Sequence, residues 1–229
     1  MDKPYGLIFD VDGVIADTEA VNAQASIKVF ADLFGVHDVQ RQDFEAGLGR
    51  GAEEYIKAAA LVHGLQLTRE QIAAATKARQ ENFLKILKQE PLPPFPGVLE
   101  LMNAALANDN FRLAIATSST REKSEAVLQS AQVPYKQMAY ITGDDVKSKK
   151  PNPELFLVAA RGINVPPQNC LVIEDAPNGI QAAHAAGCKC IAVTNSTSAE
   201  KLSQADLIIS SLTEVSLQDI IAILQGKDS

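Results

Sequence analysis

The sequence predicts an α/β fold in which a parallel sheet, covered by helices on both faces, carries an inserted helical segment. Three observations predict it. Short apolar runs recur along the chain and are uninterrupted rather than alternating, which is typical of parallel strands buried on both faces. Helical patterns separate these runs, and strand followed by helix, repeated, indicates right-handed crossovers. One long segment, from about residue 19 to residue 90, breaks the alternation.

The predicted strands are five short apolar runs. They lie at residues 7–9, 113–116, 171–173, 191–193 and 207–209. Each consists only of Leu, Ile, Val, Phe or Ala. No apolar stretch approaches the ~20 residues that a membrane-spanning helix needs, so we expect no membrane partner.

Periodicity and capping signals predict the helices of the α/β part. Apolar residues at three- and four-residue spacing predict one helix over residues 98–106 and another over residues 180–186, the second ending at Gly187. Two further helix starts are indicated by Asn152 before Pro153, and by Thr197 with Glu200 as a capping box.

Residues 17–93 are predicted to form an all-α cap domain, inserted into an α/β core made of residues 1–16 and 94–229. Apolar residues at positions 21, 25, 29 and 33 mark one of its helices, and Thr68 with Gln71 forms a capping box for a later one. The proline-rich residues 91–96 are stiff and poor in backbone donors, which indicates a linker back to the core.

Composition excludes several classes of function. The chain has 229 residues, 46% of them hydrophobic, and a formal net charge of −7. A nucleic-acid surface needs a basic stripe, so nucleic acid is not expected as a partner. The three cysteines lie in or beside apolar runs and are predicted to be buried thiols, which suits a reducing compartment and a cytoplasmic location.

Acidic and hydroxyl residues follow three of the predicted strands. They are Asp10, the pair Thr117 and Ser118, and the pair Glu174 and Asp175. Because the carboxyl ends of parallel strands meet at one edge of a sheet, we expect these groups to converge there. A divalent cation could balance the charge, and oxygen ligands favour Mg²⁺. For Asp10 and Asp12 alone, an Asp-Gly turn that caps backbone N–H groups is the simpler interpretation.

Four motifs occur in order: Asp10-Val11-Asp12-Gly13-Val14, Thr117-Ser118, Lys150-Pro151 and Glu174-Asp175. Their order, together with the helical insert after the first strand, resembles the haloacid dehalogenase superfamily. The likeness covers nearly the whole chain and is greatest to its β-phosphoglucomutase-like and phosphoglycolate-phosphatase-like group. The resemblance implies a Rossmann-like core with a helical cap, and a Mg²⁺-dependent phosphatase acting on a small phosphorylated metabolite such as a sugar phosphate.

The resemblance also assigns roles to the acidic residues. Asp10 would be the nucleophile that forms an aspartyl-phosphate, and an ionised carboxylate needs no base to activate it. Asp12 would be the general acid and base, for which its pKa must rise by roughly three units, an effect that nearby acidic groups and closure of the site could supply. Mg²⁺ would be bound by Asp10, Asp175, the main-chain carbonyl of Asp12, and Glu174 either directly or through water.

Phosphate binding is assigned in the same way. Thr117 through its hydroxyl, Ser118 through its backbone N–H and Lys150 through its charge would hold the phosphoryl oxygens. On charge alone, Lys150 is one of a solvated lysine group at residues 147–150, but its position before Pro151 and its match to the motif favour the functional role. Lys149 is the weaker candidate.

Substrate choice is expected in the cap. Gly49 and Arg50 lie where the family has its specificity loop, and Lys77 or Arg79 could reach a second anionic group or simply lie on an exposed helix face. Where β-phosphoglucomutase has a cap histidine and a loop arginine, this chain has Asn22 and Ala52. Both departures favour a phosphatase over a phosphosugar mutase.

Two alternatives stay open at this point. The first is the phosphosugar mutase. The second comes from another class: a phospho-acceptor signalling domain without turnover, which also combines acidic residues, Mg²⁺, a hydroxyl and a lysine around an aspartate. Such domains are much shorter and lack the helical insert. We expect the protein to be a monomer.

Overall fold

A six-stranded sheet forms the centre of the larger of two units in this computed structural model, which describes residues 4–48 and 51–226. The strands are β1 (Tyr5–Phe9), β2 (Phe111–Ala116), β3 (Ala139–Ile141), β4 (Cys170–Glu174), β5 (Lys189–Val193) and β6 (Leu207–Ile209). Their order is β3-β2-β1-β4-β5-β6, and every neighbouring pair is parallel. The predicted α/β class is therefore confirmed.

Helices connect the strands and make up the second unit. They are α1 (Thr18–Phe34), α2 (Ala52–Val62), α3 (Arg69–Gln89), α4 (Val98–Leu106), α5 (Arg121–Ser130), α6 (Glu154–Gly162), α7 (Pro177–Ala186) and α8 (Leu217–Leu224). The α/β unit comprises residues 1–17 and 92–229, and the helical unit comprises residues 18–91. None of the helices in the described part of the chain is both long and apolar enough to cross a membrane.

All five predicted strands are present, and the sequence interpretation missed only β3. This strand has three residues, lies at the edge of the sheet and is half-buried throughout. Its sequence, Ala-Tyr-Ile, is a weaker strand signal than the Leu-Ile-Ile of β6, which is equally short but consists only of branched aliphatic residues.

The helix boundaries differ from the prediction at two places. The sequence predicts Asn152 as the N-cap and Pro153 as the first residue of α6, and this is wrong, because Pro153 is the N-cap and the helix begins at Glu154. Asn152 Oδ1 accepts a hydrogen bond from the Glu154 N–H at 3.0 Å, just before the helix. The capping box of Thr197 with Glu200 is wrong. A short 3₁₀ helix, Ala199–Leu202, begins there after Ser198 without a side-chain cap, and a single such turn does not need one. Gly187 ends α7 in the left-handed conformation, as predicted.

The position of β1 is fixed by apolar packing on both sides of it. Ile8 pairs with Ala114 of β2 and with Val172 of β4, and all three residues are fully buried. Phe156 of α6 and Ile180 of α7 pack in the same cluster. Burial of each large side chain stabilises the fold by about 1.5–3 kcal/mol. The residues directly after β1 are consequently held at the rim of a rigid sheet.

The helical unit has its own apolar core. The Phe44 ring stacks on Tyr55 at 4.5 Å between centroids, and Phe30 meets Phe44 edge-on at 5.9 Å. The predicted capping box of α3 is confirmed: Thr68 Oγ1 accepts from the Gln71 N–H at 3.3 Å, and Gln71 Oε1 accepts from the Thr68 N–H at 2.8 Å. No strand is found among the described residues of this unit.

Candidate active site

Three carboxylates meet at the carboxyl edge of the sheet. Asp10 follows β1, Glu174 ends β4, and Asp175 follows it; the Asp10 N–H donates to the Ile173 carbonyl at 3.1 Å, which holds the two strand ends together. One carboxylate oxygen from each acidic residue lies within 4.8 Å of the others. All three residues are buried, with 5%, 1% and 7% of their surface exposed. So many buried negative charges require a partner.

Lys150 is the cation within this group. Its Nζ donates to Asp10 Oδ1 and to Glu174 Oε1, each at 2.5 Å, and its side chain is only 6% exposed. The other Glu174 oxygen accepts from the N–H groups of Asp175 and Ala176, at 2.8 and 3.0 Å. A Cβ at Gly179, in the first turn of α7, would collide with the Glu174 carboxylate, so only glycine allows this close approach. Glu174 is therefore engaged at both oxygens.

The pKa values of the two aspartates and the lysine in this group are shifted in the direction that an excess of buried negative charge produces. Burial, with the charges of Glu174 and Asp12, raises the pKa of Asp10 to about 7 although Lys150 opposes the shift. Burial and the charges of Glu174 and Asp10 likewise raise the pKa of Asp175 well above its usual range. Burial alone would lower the pKa of Lys150, but the two carboxylates that it contacts raise it further above its ordinary value.

The donor set fits a hard divalent cation. Three carboxylates face one ammonium group, which leaves a net negative charge in a buried site. The available ligand atoms are oxygens, without histidine or thiolate, and this set favours Mg²⁺ over zinc or copper. The Ser196 hydroxyl interacts with the Asp175 carboxylate and opposes the rise in its pKa. Asp10 and Asp175 are the carboxylates best placed to bind an ion, since both oxygens of Glu174 already have partners.

The turn after β1 depends on Gly13. Its φ is 79°, in the left-handed region, and a Cβ there would collide with the Asp175 carboxylate and the Ser196 hydroxyl. Asn195 donates from Nδ2 to the Gly13 carbonyl at 2.8 Å. The sequence analysis missed Asn195 and Ser196. Their signal is their position directly after β5, because β5 neighbours β4 and ends at the same edge of the sheet.

Asp12 lies apart from the three-carboxylate group. Lys123 donates to Asp12 Oδ1 at 2.8 Å, Ser119 donates to Oδ2 at 2.7 Å, and the Thr117 hydroxyl lies 3.5 Å from Oδ2. An ammonium and hydroxyl donors stabilise an ionised carboxylate. The role of Asp12 as general acid stays a prediction.

Lys123 and Ser119 were also missed by the sequence analysis. Lys123 is the third residue of α5 and lies six residues after Thr117. The first turn of a helix that directly follows a strand returns to the strand's carboxyl end, and this is the signal that could have identified it.

The end of β2 supplies the hydroxyl pair. The Thr117 N–H donates to the Ile141 carbonyl of β3 at 3.1 Å, and Thr117 Oγ1 accepts from the Ser119 N–H at 3.1 Å. Thr117 is 1% exposed, whereas Ser118, the next residue, is half-buried. Both lie at the same sheet edge as Asp10, in the order that the motif analysis expects of a phosphate-binding turn.

The predicted specificity residues belong to the helical unit. Gly49 and Arg50 lie outside the described residues. The Arg79 guanidinium lies over the Tyr55 ring, 5.2 Å from its centroid, and the Tyr55 hydroxyl donates to Glu19. Lys77 is exposed. Binding of a second anionic group by Arg79 or Lys77 stays a prediction.

Curated relatives cover this chain along its length. The chain is 31% identical over 217 residues to the validoxylamine A 7′-phosphate phosphatase of Streptomyces hygroscopicus subsp. limoneus, covering 91% of this chain and 94% of that protein. It is 33% identical to the protein SUPPRESSOR OF QUENCHING 1 of Arabidopsis thaliana over 99% of this chain. The chain spans only 21% of the length of that plant protein.

Solved structures share the fold. CbbY from Rhodobacter sphaeroides, crystallised as a variant with xylulose-1,5-bisphosphate, has a TM-score of 0.80 and 29% identity, covering 95% of this chain and 99% of that one. β-Phosphoglucomutase from Clostridium difficile has a TM-score of 0.79 and 25% identity, covering 97% and 98%. A family model described as haloacid dehalogenase-like hydrolase matches residues 7–193. The family match, the relatives and the acidic residues at the strand ends all agree. The chain belongs to the haloacid dehalogenase-like hydrolase family.

Proposed function

We propose that this protein is a Mg²⁺-dependent phosphatase that hydrolyses a small phosphorylated metabolite, a sugar phosphate or similar phosphomonoester, through an aspartyl-phosphate on Asp10. The observation that carries the proposal is the buried group of Asp10, Glu174 and Asp175 with Lys150 between two of them. The activity for which the validoxylamine A 7′-phosphate phosphatase is named and the bisphosphate in the CbbY crystal support the substrate class.

The reaction takes two steps. A carboxylate oxygen of Asp10 attacks phosphorus, the bond from phosphorus to the alcohol oxygen breaks, and Asp12 gives its proton to the departing alkoxide. Water then attacks the phosphorus of the aspartyl-phosphate, Asp12 takes up a proton from that water, and inorganic phosphate leaves as Asp10 is regenerated. When bound, Mg²⁺ would neutralise phosphoryl oxygens that otherwise repel the anionic nucleophile.

The other core residues bind and orient. Lys150 aligns Asp10 by its 2.5 Å contact and adds positive charge next to the transferred group. Thr117 through its hydroxyl and Ser118 through its backbone N–H would bind phosphoryl oxygens. For the metal we propose Asp10, Asp175 and the main-chain carbonyl of Asp12 as direct ligands. Glu174 would act through water, because both of its oxygens are already hydrogen-bonded.

The remaining assignments concern the helical unit and the state of the protein. Residues 17–93 would be a cap that selects the substrate through Gly49, Arg50 and Arg79. The protein would be a cytoplasmic monomer that does not bind nucleic acid, as its net charge of −7 supports. Gel filtration coupled to light scattering tests the monomer directly, and a mass of twice the chain's would contradict it.

The test is a phosphate-release screen against phosphorylated metabolites, with Mg²⁺ and with a chelator. The unsubstituted protein should release phosphate only with the metal, Asp10→Asn should be inactive, and Asp12→Ala should be slowed by about 10²–10⁴-fold. Equal release by all three proteins would show that neither residue takes part. Hydrolysis in the absence of any bisphosphate activator distinguishes this activity from a phosphosugar mutase, and a stable phosphoprotein without turnover would identify a signalling domain.

A further inference from the structure

We propose that Lys123 is a positioning residue that fixes the orientation of the Asp12 carboxylate for proton transfer, with Ser119 as its partner. The inference rests on the proposed function, and it assigns a task to two residues that lie outside all four motifs. Lys123 forms an ion pair with Asp12 at 2.8 Å, so we expect its effect on the reaction to pass through Asp12.

Local preferences oppose a lysine at this position. Lys123 is the third residue of α5, where the helix dipole presents positive charge and acidic residues are preferred by about 0.3–1 kcal/mol. The residue is also buried, and its side chain is 11% exposed. Burying an ammonium is costly unless it is paired. The ion pair with Asp12 offsets both costs, which indicates that the tertiary contact determines the residue type here.

The contacts to Asp12 engage both of its oxygens. Lys123 Nζ lies 2.8 Å from Oδ1 and Ser119 Oγ lies 2.7 Å from Oδ2. Lys123 Nζ also lies 3.4 Å from Ser119 Oγ, so the two donors contact each other as well as the carboxylate. A carboxylate that is hydrogen-bonded at both oxygens cannot rotate about its Cβ–Cγ bond without losing a charge-assisted hydrogen bond.

The segment that carries Lys123 is itself well anchored. The Thr120 hydroxyl accepts from the Lys123 N–H at 3.4 Å, and Ser124 Oγ donates to the Thr120 carbonyl at 2.8 Å. The Arg121 N–H donates to Asp144 Oδ2 at 2.8 Å. The first two bonds cap the first turn of α5, and the third joins that turn to the loop that carries Asp144. The backbone that carries Lys123 is therefore held in place.

The consequence concerns the protonation of the leaving group. A general acid is effective only within hydrogen-bond reach of the oxygen that it protonates. Loss of the Lys123 contact should spread Asp12 over several orientations and slow its proton transfer. The reaction of substrates whose leaving group needs no proton should be affected much less.

The experiment compares two aryl phosphates in the presence of Mg²⁺. Phenolate is the more basic leaving group and gains from protonation, whereas 4-nitrophenolate is a stabilised anion that leaves without it. For Lys123→Met, kcat/KM should fall roughly 10–100-fold with phenyl phosphate and less than about threefold with 4-nitrophenyl phosphate. Lys123→Arg, which keeps the charge and the donors, should restore most of the loss. Lys136→Met, the same substitution at an exposed lysine of the same unit, should leave both values unchanged.

The two esters distinguish a role of Lys123 in proton transfer from a structural role. Equal losses with the two esters would mean a merely structural role, and no loss or a gain with phenyl phosphate would also overturn the inference. If Lys123→Met fails to fold, Ser119→Ala provides the test, because it removes the second contact to Asp12 without burying a charge. Its kcat/KM should also fall more with phenyl phosphate than with 4-nitrophenyl phosphate, but by a smaller factor. Absence of phosphate release by the unsubstituted protein from either ester would instead contradict the proposed function, and the inference with it.

Discussion

The two units differ most in what they bury. Among the described residues of the α/β unit, four charged residues are buried, and all lie at a strand end or in the first turn of the following helix: Asp10, Lys123, Glu174 and Asp175. Among those of the helical unit, the buried polar residues are Thr18, Ser26 and Asn82, and none is charged. Because burying charge opposes folding, its confinement to one sheet edge marks the place where chemistry, rather than stability, has determined the residues.

Exposed apolar side chains show the opposite distribution. The large hydrophobic residues that are exposed in the described chain are Leu33, Leu48, Leu61 and Val62, and all four belong to the helical unit. The helical unit is thus stabilised by an apolar core and leaves some apolar side chains exposed. The α/β unit combines a larger apolar core with a buried polar site. The predictions below test this contrast.

The largest expected effect is in the helical unit. Phe44→Ala removes a fully buried ring that stacks on Tyr55 at 4.5 Å, and it should lower the free energy of unfolding by about 3–5 kcal/mol. Leu61→Ala, at a side chain that is 81% exposed, is the matched control and should change stability by less than about 0.5 kcal/mol. Denaturant titration followed by circular dichroism measures both. Similar values for the two variants would mean that the aromatic cluster does not stabilise this unit.

The next effect is catalytic. Lys150→Met removes the ammonium between Asp10 and Glu174, and kcat/KM for phosphate release should fall by about 10²–10³-fold, or about 3–4 kcal/mol. Lys149→Met, at the exposed neighbouring lysine, should leave kcat/KM within about twofold, since surface changes have small effects. If the two variants behave alike, the ion pairs of Lys150 are not used in the reaction.

The third prediction concerns pH in the presence of a chelator. The pKa of Asp10 rises from 3.8 to about 7 on folding, so the folded protein holds a proton that the unfolded chain releases between these values. The contribution of Asp10 to stability is present below about pH 4 and is lost as pH rises through about 7. Asp10→Asn removes this loss. Its stability relative to the unsubstituted protein should therefore increase from pH 4 to pH 8, by on the order of 2–4 kcal/mol.

Thermal melts at both pH values measure this difference. Mg²⁺ should reduce it at pH 8, because an ion bound to Asp10 stabilises the ionised carboxylate of the unsubstituted protein. A difference that is independent of pH would contradict the burial of an ionisable group at this position.

The smallest effect is a helix cap. Thr68→Ala removes the acceptor of the Gln71 N–H and should lower the free energy of unfolding by about 1 kcal/mol, whereas Thr68→Ser keeps the oxygen and most of the stability. Hydrogen exchange of the first turn of α3 reports the change locally. Equal exchange in Ala and Ser variants would show that the cap does not stabilise the helix.

Much of the α/β unit could be predicted because its signals are local. An uninterrupted run such as residues 171–173 identifies a buried strand without knowledge of its neighbours, and a polar residue after it identifies a strand end. β3 was not predicted in this way, because Ala139–Ile141 is half-buried and includes a tyrosine, whereas the equally short β6 consists of Leu and Ile alone. The boundary error at Pro153 and the absent box at Thr197 show that a capping pattern does not by itself distinguish an α-helix from a 3₁₀ turn.

The site was predictable only as far as its residues follow strands. Asp10, Thr117 and Glu174 could be placed because parallel strands end at a common edge. The position of Lys123 in the first turn of α5 could place it at the same edge. Its ion pair with Asp12 could not be predicted, because it joins residues 111 positions apart at a helix position that favours the opposite charge. Such a contact depends on the angle at which α5 leaves the sheet, which no local pattern encodes.

The sheet order has a consequence for how the molecule forms. β1 is the earliest strand in the sequence, yet it lies in the middle of the sheet, and its two partners begin at Phe111 and Cys170. During synthesis Asp10, which follows β1, therefore emerges long before the strands that bury it, whereas the helical unit is complete by residue 91. Closing a loop of this length has an entropic cost that grows only slowly with its length, but it delays pairing. A nascent chain should thus acquire its helical unit first and its capacity for chemistry only after β4 has been made.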